Sequence, residues 1–211
     1  MKSKSLLITG FEPFDGETLN PSQMILDWVS ADPELSESCE VLLLPVSFQR
    51  APQLALEKWR TGSFQSWIGF GQAGGRSKIS LERVALNWKE SSIPDNLGVH
   101  PEPGPLHKGQ PSAYFSEGKL SQLKESLSFP TEVSFSAGAY VCNSLYFHML
   151  EAFYSTTSSP GAKKSFFVHI PYLEIQVAGR NPPCPWISEK DLKRSALQIL
   201  KGVLRGHPET E

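Results

Sequence analysis

Short apolar runs alternate with amphipathic, helix-like segments along most of this 211-residue chain. That alternation is typical of a mainly parallel β-sheet with helices packed on its faces. We therefore predict an α/β fold, a three-layer α/β/α sandwich with a twisted, mainly parallel central sheet, as a single domain over residues 1–211. Strands are predicted at residues 5–10, 40–46, 66–71, 132–138 and 165–170, with a further strand or hairpin arm at residues 78–88.

Two helices have recognisable starts. Asn20 followed by Pro21 is a cap followed by a first-turn proline, and it predicts a helix that runs through about Val29. Near the end of the chain, Ser188 and Asp191 resemble a capping box. The helix that follows has an apolar stripe at helical spacing, which predicts a packing element without chemistry: Leu192, Ala196, Ile199, Leu200 and Val203.

A long stretch rich in proline and glycine lies between Trp88 and Ser112 and shows neither helical nor strand periodicity. Loops of this length in a compact domain are usually functional or mobile. We expect a surface loop near the functional site or at a subunit contact, with His100 and His107 exposed to solvent. Residues 155–164 are polar and are expected to be a simple connection.

Composition narrows the range of functions. The chain is 39% apolar and 20% charged, with a formal net charge of -2 and no basic run, so it lacks the charge pattern of proteins that bind nucleic acid or anionic membranes. No segment approaches the roughly 20 apolar residues that cross a bilayer, and the first apolar run is too short for a signal peptide. We expect a small or neutral partner.

The three cysteines, Cys39, Cys142 and Cys184, are widely spaced and form no CxxC pair. That spacing argues against a disulfide framework and against a zinc site. We therefore expect a protein of the reducing cytoplasm that holds no metal.

Cys142 stands where small, turn-prone residues give way to an apolar run. If the strand at 132–138 leads into a helix from about Cys142 to Phe153, the thiol lies in the first turn of that helix. Unpaired N–H groups and the positive end of the helix dipole would there stabilise a thiolate and hold an oxyanion. The alternative is an unreactive cysteine in the core.

A reactive thiol needs a proton acceptor within reach. His148 follows Cys142 by six residues, which turns it roughly 240° around a helix and away from the thiol. His169 is better placed, because it ends a buried strand just before Pro171, and ligand sites of α/β sheets gather at the carboxyl ends of strands. We expect the junction before Cys142 to open onto the same edge. The alternative for His169 is a core histidine with one backbone hydrogen bond.

A Cys–His pair usually needs a third group that orients the imidazole. Glu82 is a charged residue within an apolar alternation, which makes it a candidate for this role. The alternative is a carboxylate that pairs with Arg83 or Arg76 on a solvated face.

Two loops indicate the kind of ligand. The segment after the first strand presents Phe11, Phe14 and Asn20, and this combination of aromatic faces and an amide suits a small, uncharged, planar ligand with a C=O and an N–H. The glycine-rich "GFGQAGGR" adds the amide of Gln72. It could equally be a plain turn, or hold an anion beside Arg76. The segment after the first strand lacks both phosphate-binding patterns, GxxxxGK and GxGxxG, so nucleotide binding has little support.

Six blocks of the sequence together resemble one family. In order, "LLITGFEPFDG…NPS", "GFGQAGGR", "ERVALN", "IPDN", "AGAYVCN" and "FVHIPYL" are similar to the signature blocks of pyroglutamyl peptidase I, also called pyrrolidone-carboxylate peptidase. The likeness runs from about Leu6 to Val203. It implies a cysteine exopeptidase that removes an N-terminal pyroglutamyl residue from peptides, without metal or cofactor, in a homo-oligomer such as a dimer or tetramer.

The resemblance also implies roles for individual residues. Cys142 would be the nucleophile, His169 the base and Glu82 the acid that orients the imidazole. The pyroglutamyl ring would be held by Phe11 and Phe14, with polar contacts from Asn20 and Gln72 and a wall made by Tyr140 and Val141.

Three positions depart from the family pattern. Ser92 stands where many bacterial members have an arginine near the nucleophile, Asp15 stands where glycine is usual, and Tyr140 stands where phenylalanine is usual. These departures could change the pocket or remove a cation that assists the thiol. One alternative is therefore a weakened or inactive homologue that only binds a lactam. A second alternative, a phosphate- or nucleotide-handling α/β protein, has little support beyond the loop "GQAGGR".

Overall fold

The computed structural model describes residues 4–155 and 165–205. The strands are β1 (Leu6–Phe11), β2 (Cys39–Leu44), β3 (Ser66–Gln72), β4 (Ile79–Glu82), β5 (Val84–Leu86), β6 (Ala113–Phe115), β7 (Thr131–Ser134), β8 (Phe166–Ile170), β9 (Tyr172–Leu173) and β10 (Trp186–Ile187). The helices are α1 (Pro21–Ala31), α2 (Pro33–Ser38), α3 (Arg50–Thr61), α4 (Leu120–Glu125), α5 (Val141–Ser155), α6 (Glu174–Val177) and α7 (Glu189–Leu204).

Six strands form the central sheet in the order β2-β1-β3-β8-β4-β7. The first four are parallel to one another, β4 is antiparallel to β8, and β7 is parallel to β4. Every residue of β1, β3, β8 and β4 is buried, as expected of strands covered on both faces. The predicted α/β fold with a mainly parallel sheet is confirmed.

Helices cover both faces of the sheet and create two apolar cores. One core includes Ile25 of α1 and Ile199 of α7. The other includes Ala55 of α3 and Leu145 of α5. The sheet is therefore the middle of three layers, and the side chains that point from β8 toward α5 lie in the second core, as Phe167 does.

The capping signals are confirmed. Asn20 Oδ1 accepts a hydrogen bond from the N–H of Ser22 at the start of α1. Ser188 Oγ accepts one from the N–H of Asp191 at the start of α7, and the five apolar stripe residues of that helix are buried. The polar stretch at 155–164 lies almost entirely outside the described residues.

Two predicted strands differ from the observed ones because the chain changes partners. Residues 78–88 form β4 of the main sheet and then β5, which pairs only with β6. Arg83 marks the change: its N–H donates to Ser134 O of β7 while its carbonyl accepts from Ser116 N–H. The strand predicted at 132–138 ends at Ser134, and residues 135–140 form a loop into α5.

The long loop between Trp88 and Ser112 is fastened to the body of the protein by Asp95 and Asn96. The buried carboxylate of Asp95 accepts from the N–H of Phe48, which lies beyond β2. Asn96 Nδ2 donates to Glu12 Oε1 and to Pro13 O, which lie beyond β1. We call Asp95 and Asn96 the loop clasp, because they hold together the segments that follow β1 and β2.

The two histidines of this loop differ in their contacts. Both are exposed, as expected. His107 nevertheless has a partner, because its Nδ1 lies 2.7 Å from Glu151 Oε1 of α5. The loop is thus joined to α5 as well as to the strand ends.

The buried amide of Asn143 joins the first turn of α5 to β5. Its Oδ1 accepts from the N–H of Leu86, and its Nδ2 donates to the carbonyls of Leu86 and Trp88. These groups would otherwise be buried without partners, which is costly for backbone polar groups. Asn143 therefore positions the segment that contains its neighbour Cys142.

We predict that Asn143→Ala lowers the free energy of unfolding by about 2–4 kcal/mol, because three hydrogen bonds are lost and backbone groups are left unpaired. Urea denaturation followed by circular dichroism measures the change. Gln53→Ala, at an exposed position of α3, is the control and should change stability by less than about 0.5 kcal/mol. Equal effects of the two substitutions would contradict the assignment.

Candidate active site

A small cavity opens at the sheet edge where the parallel strands β1, β3 and β8 have their carboxyl ends. Its volume is about 90 Å³. All six residues expected to contact a ligand line it, together with Cys142 and His169. Two further lining residues were not predicted, Val46 and Ala137. Val46 could have been anticipated, because it follows β2, whose parallel neighbour β1 carries Phe11.

Aromatic rings form much of the cavity wall. The Tyr140 ring lies 5.9 Å from the Phe14 ring and packs edge-on against the Phe48 ring at 5.3 Å. Its hydroxyl donates to Pro94 O at 2.8 Å, which fastens the wall to the long loop beside the loop clasp. Burial raises the pKa of Tyr140 to about 12, so this hydroxyl stays neutral over the physiological pH range.

Asn20 lines the cavity, but most of its amide is already used. Oδ1 accepts from both the N–H and the hydroxyl of Ser22, and Nδ2 donates to Glu12 O. One N–H of the amide is left over. Asn20 can therefore offer a ligand a single donor.

Cys142 is the second residue of α5, so its thiol lies in the first helical turn as predicted. The thiol packs against the backbone of Gly71 in β3: a Cβ added to Gly71 would lie 2.8 Å from Cys142 Sγ and 2.8 Å from the Phe167 ring. Only glycine leaves this space free. Because Gly71 is the register partner of His169, the same contact brings the thiol beside the histidine.

His169 and Glu82 form a buried pair. The side chain of Glu82 is 0% exposed and that of His169 is 5% exposed, and His169 Nδ1 lies 2.8 Å from Glu82 Oε1. Glu82 is the register partner of Phe167 on the antiparallel neighbour strand, so its side chain shares a face with His169. A neutral imidazole in this position carries its proton on Nδ1, and Nε2 is left as the base.

Arg76 contacts the same carboxylate oxygen. Arg76 Nη1 donates to Glu82 Oε1 at 2.7 Å and Nη2 donates to Ser136 O at 3.0 Å, in the loop before α5. The two interpretations of Glu82 as an orienting acid and as a partner of Arg76 are therefore compatible. The alternative that placed Glu82 on a solvated face is wrong in that respect, because the carboxylate is fully buried.

Burial sets the protonation of the thiol and the imidazole. It raises the pKa of the Cys142 thiol to about 12; the negative charge of Glu82 raises it too, and the cation of Arg76 lowers it. Burial also lowers the pKa of His169, although the hydrogen bond to Glu82 acts in the opposite direction. At neutral pH the resting pair is therefore a thiol next to a neutral imidazole, which can take the thiol proton when a substrate is attacked.

The path by which Cys142 reaches this edge differs from the one expected. β7 is antiparallel to β8, so its carboxyl end points away from the edge where β8 ends. Glu82 pairs with Ser134 at the end of β7. The loop at 135–140 then carries the chain back toward His169, and its carbonyl at Ser136 is held by Arg76.

His148 lies outside the cavity lining, and its Nδ1 is 2.7 Å from Ser144 O, one turn earlier in α5. Within residues 4–155 and 165–205, no group of three or more histidine, cysteine or acidic side chains is arranged to hold a metal ion. In those same ranges no helix has the length and apolar character needed to cross a membrane.

Comparison with known proteins agrees with the geometry. The family model described as pyroglutamyl peptidase matches residues 4–199. The chain belongs to the pyroglutamyl peptidase family. It is 34% identical to pyrrolidone-carboxylate peptidase 1 of Caldanaerobacter subterraneus subsp. tengcongensis over 203 residues, which cover 95% of this chain and 98% of that relative.

Solved structures of the pyroglutamyl peptidase family share its fold. The pyrrolidone carboxyl peptidase of Fervidobacterium islandicum AW-1 matches with a TM-score of 0.85 at 35% identity, over 96% of this chain and 98% of that one. Pyroglutamyl peptidase I of Bacillus amyloliquefaciens matches with a TM-score of 0.85 at 30% identity, over 98% and 97%.

The departures from the family pattern have distinct positions. Asp15 is exposed, does not line the cavity, and has a φ of 53°, a left-handed conformation that glycine adopts more easily. Ser92 is exposed. Among the described residues, Arg76 is the cation that lowers the pKa of Cys142, and neither it nor Asn143 was predicted to serve the site.

We predict that Gly71→Ala reduces peptidase turnover by about 100-fold, because the new Cβ displaces Cys142 Sγ from its position beside His169. Steady-state kinetics measure the loss. Gly104→Ala is the control, since a Cβ there meets nothing within 4 Å. Turnover of Gly71→Ala close to that of the unmodified protein would show that the thiol does not need this contact.

We predict that Arg76→Gln slows alkylation of Cys142 by iodoacetamide at a given alkaline pH. Without the cation the pKa of the thiol rises further, so less thiolate is present. Mass spectrometry across a pH series measures the rate, Arg76→Lys should restore part of it, and Arg60→Gln, at an exposed position of α3, should leave it unchanged. An identical pH profile for Arg76→Gln and the unmodified protein would exclude this role.

Proposed function

We propose that this chain is a cysteine exopeptidase that hydrolyses the amide bond after an N-terminal pyroglutamyl residue of a peptide. One observation carries the proposal. Cys142, in the first turn of a helix, and His169, paired with a buried carboxylate, line the same small cavity. A thiol, a base and an orienting acid in that arrangement are the parts of nucleophilic catalysis at a carbonyl.

The cavity suits a lactam ring. Pyroglutamate is a flat five-membered lactam whose nitrogen carries no positive charge, so it needs apolar faces and amide hydrogen bonds. Phe11, Phe14 and Tyr140 supply the faces, Asn20 and Gln72 supply the amides, and Val141 closes the wall. None of the described residues that line the cavity is acidic, so a free N-terminal ammonium would find no counter-ion there.

In the first half of the reaction, His169 Nε2 takes the proton of the Cys142 thiol as sulfur attacks the carbonyl carbon that follows the lactam ring. The C–N bond then breaks, and His169 gives the proton to the leaving amine. The product is a pyroglutamyl thioester on Cys142. Glu82 keeps the imidazole oriented through Nδ1 and stabilises the positive charge it carries in between.

In the second half, water attacks the thioester with His169 as its base, and Cys142 is released as a thiol. Backbone N–H groups in the first turn of α5 point toward the negative oxygen in both halves. Donors of this kind contribute about 3–4 kcal/mol to transition-state stabilisation. The reaction draws only on side chains, backbone and water.

Ser92 carries no charge and cannot replace the family arginine, but Arg76 supplies a positive charge that acts on Cys142. Its charge favours the thiolate, and its second hydrogen bond holds the loop before α5. The alternative of a homologue that binds a lactam without turnover has no observation in its favour, since thiol, imidazole and carboxylate are all present at the cavity.

We also propose that the protein acts in the cytoplasm as a homo-oligomer. All three cysteines are free, which suits a reducing compartment. The proposal of a dimer or tetramer follows the family resemblance alone, and size-exclusion chromatography with light scattering tests it.

We predict that Cys142→Ala lowers release of the chromophore from a pyroglutamyl p-nitroanilide by at least about 1,000-fold, because no other cysteine is among the described residues that line the cavity. Absorbance kinetics measure the loss. Cys184→Ala, at a free cysteine outside the cavity lining, is the matched control and should retain full activity.

Two outcomes would overturn the proposal. Full activity of Cys142→Ala would exclude it as the nucleophile. Binding of pyroglutamate without turnover by the unmodified protein would instead favour the binding-only alternative.

A further inference from the structure

Gln176, in the short helix α6, makes hydrogen bonds with both ends of its side-chain amide. Its Oε1 accepts from the N–H of Leu173 at 2.9 Å. Its Nε2 donates to Glu17 Oε2 at 3.1 Å, to Leu19 O at 3.4 Å and to Gln72 Oε1 at 2.8 Å. Gln72 lines the candidate active site, whereas Gln176 does not.

The chemistry of the partners determines which way the Gln176 amide points. A backbone N–H such as that of Leu173 can only donate, so the atom that faces it must be the oxygen. A carboxylate and a carbonyl can only accept, so the atom that faces Glu17 and Leu19 must be the NH₂ group. The orientation of Gln176 therefore follows from groups whose own roles are invariant.

That orientation is transmitted to Gln72. Because the NH₂ group of Gln176 faces it, the nearer atom of the Gln72 amide must be the oxygen. The Nε2 of Gln72 is then the end that is left for the cavity. A free glutamine side chain could present either an oxygen or an NH₂ group, but this one is held as a hydrogen-bond donor.

Arg180 supports Gln176 and its partner Glu17. Arg180 Nε donates to the carbonyl of Gln176 at 2.8 Å, and Arg180 also pairs with Glu17. The Arg180 guanidinium lies over the Tyr172 ring, 4.4 Å from its centroid. These contacts join the loop after β1 to the segment after β8, and they fix the backbone of Gln176 and the Glu17 carboxylate that accepts from its amide.

We propose that Gln176 is a specificity-determining positioning residue, which selects a ligand with a carbonyl oxygen by holding Gln72 as a donor. The inference rests on the proposed function, in which the cavity takes a lactam ring, and it assigns the lactam C=O as the acceptor for Gln72 Nε2. A ring without that carbonyl would leave a nearly buried donor unpaired, which is costly.

The test uses Gln176→Leu, Gln72→Leu and the double variant, with 2-pyrrolidone as the probe. Loss of one hydrogen bond should weaken 2-pyrrolidone binding by about 3- to 10-fold and raise KM for a pyroglutamyl p-nitroanilide by a similar factor, with kcat little changed. In the double variant the loss should equal that of Gln72→Leu alone, since Gln176 acts only through Gln72. Gln53→Leu, at an exposed site, is the control.

A second variant separates orientation from packing. Gln176→Glu keeps the size of the side chain but removes its donor, so the Gln72 amide turns over and presents its oxygen to the cavity. We expect weaker binding of 2-pyrrolidone by Gln176→Glu than by Gln176→Leu, with circular dichroism showing that both are folded.

The inference is wrong if losses in the double variant add, or if Gln176→Leu and Gln176→Glu bind 2-pyrrolidone as the unmodified protein does. Calorimetric binding of 2-pyrrolidone does not depend on turnover. If the unmodified protein binds this lactam but hydrolyses no pyroglutamyl amide, the proposed function is wrong. The binding measurements on the Gln72 and Gln176 variants would still test the role of Gln176.

Discussion

The structure depends on a negative charge that is buried within the sheet, at the end of β4. Burial of a carboxylate costs several kcal/mol unless a partner compensates it, and Glu82 is 0% exposed. Its Oε1 is shared by the His169 imidazole and the Arg76 guanidinium. The sheet order follows this requirement, because β4 must lie directly beside β8 for the carboxylate to reach the imidazole. The Arg76 guanidinium donates to this carboxylate and also to Ser136 O, so it holds the loop before α5 as well.

The buried Glu82 carboxylate also affects the protonation of the Cys142 thiol. A carboxylate close to a thiol opposes formation of the thiolate, while the cation that holds the carboxylate favours it. Burial has the largest effect on the pKa of the thiol, and together with the carboxylate it keeps sulfur protonated until an electrophile arrives. A protonated thiol is a poorer target for oxidants than a thiolate, so the arrangement protects a side chain that the proposed chemistry needs in its reduced form.

Much of the fold could be predicted from the sequence, because periodicity and caps are local signals. The alternation of apolar runs predicts the sheet, Asn20 and Ser188 predict helix starts, and the motif blocks identify eight of the ten residues that line the cavity. The remainder depends on contacts between distant segments. Nothing near Arg83 indicates that the chain changes strand partners there, and Gln176 lies 104 residues from Gln72. A lone glutamine between Ile175 and Val177 has no pattern that marks it as an anchor.

The loop clasp has a thermodynamic consequence. Asp95 and Asn96 hold together segments that begin at the ends of β1 and β2, and these segments supply Phe14 and Val46 of the cavity wall. A ligand that contacts both segments adds its binding energy to the contacts that hold them together. The long loop does not line the cavity, yet through the clasp it stabilises the same arrangement that a bound ligand would stabilise.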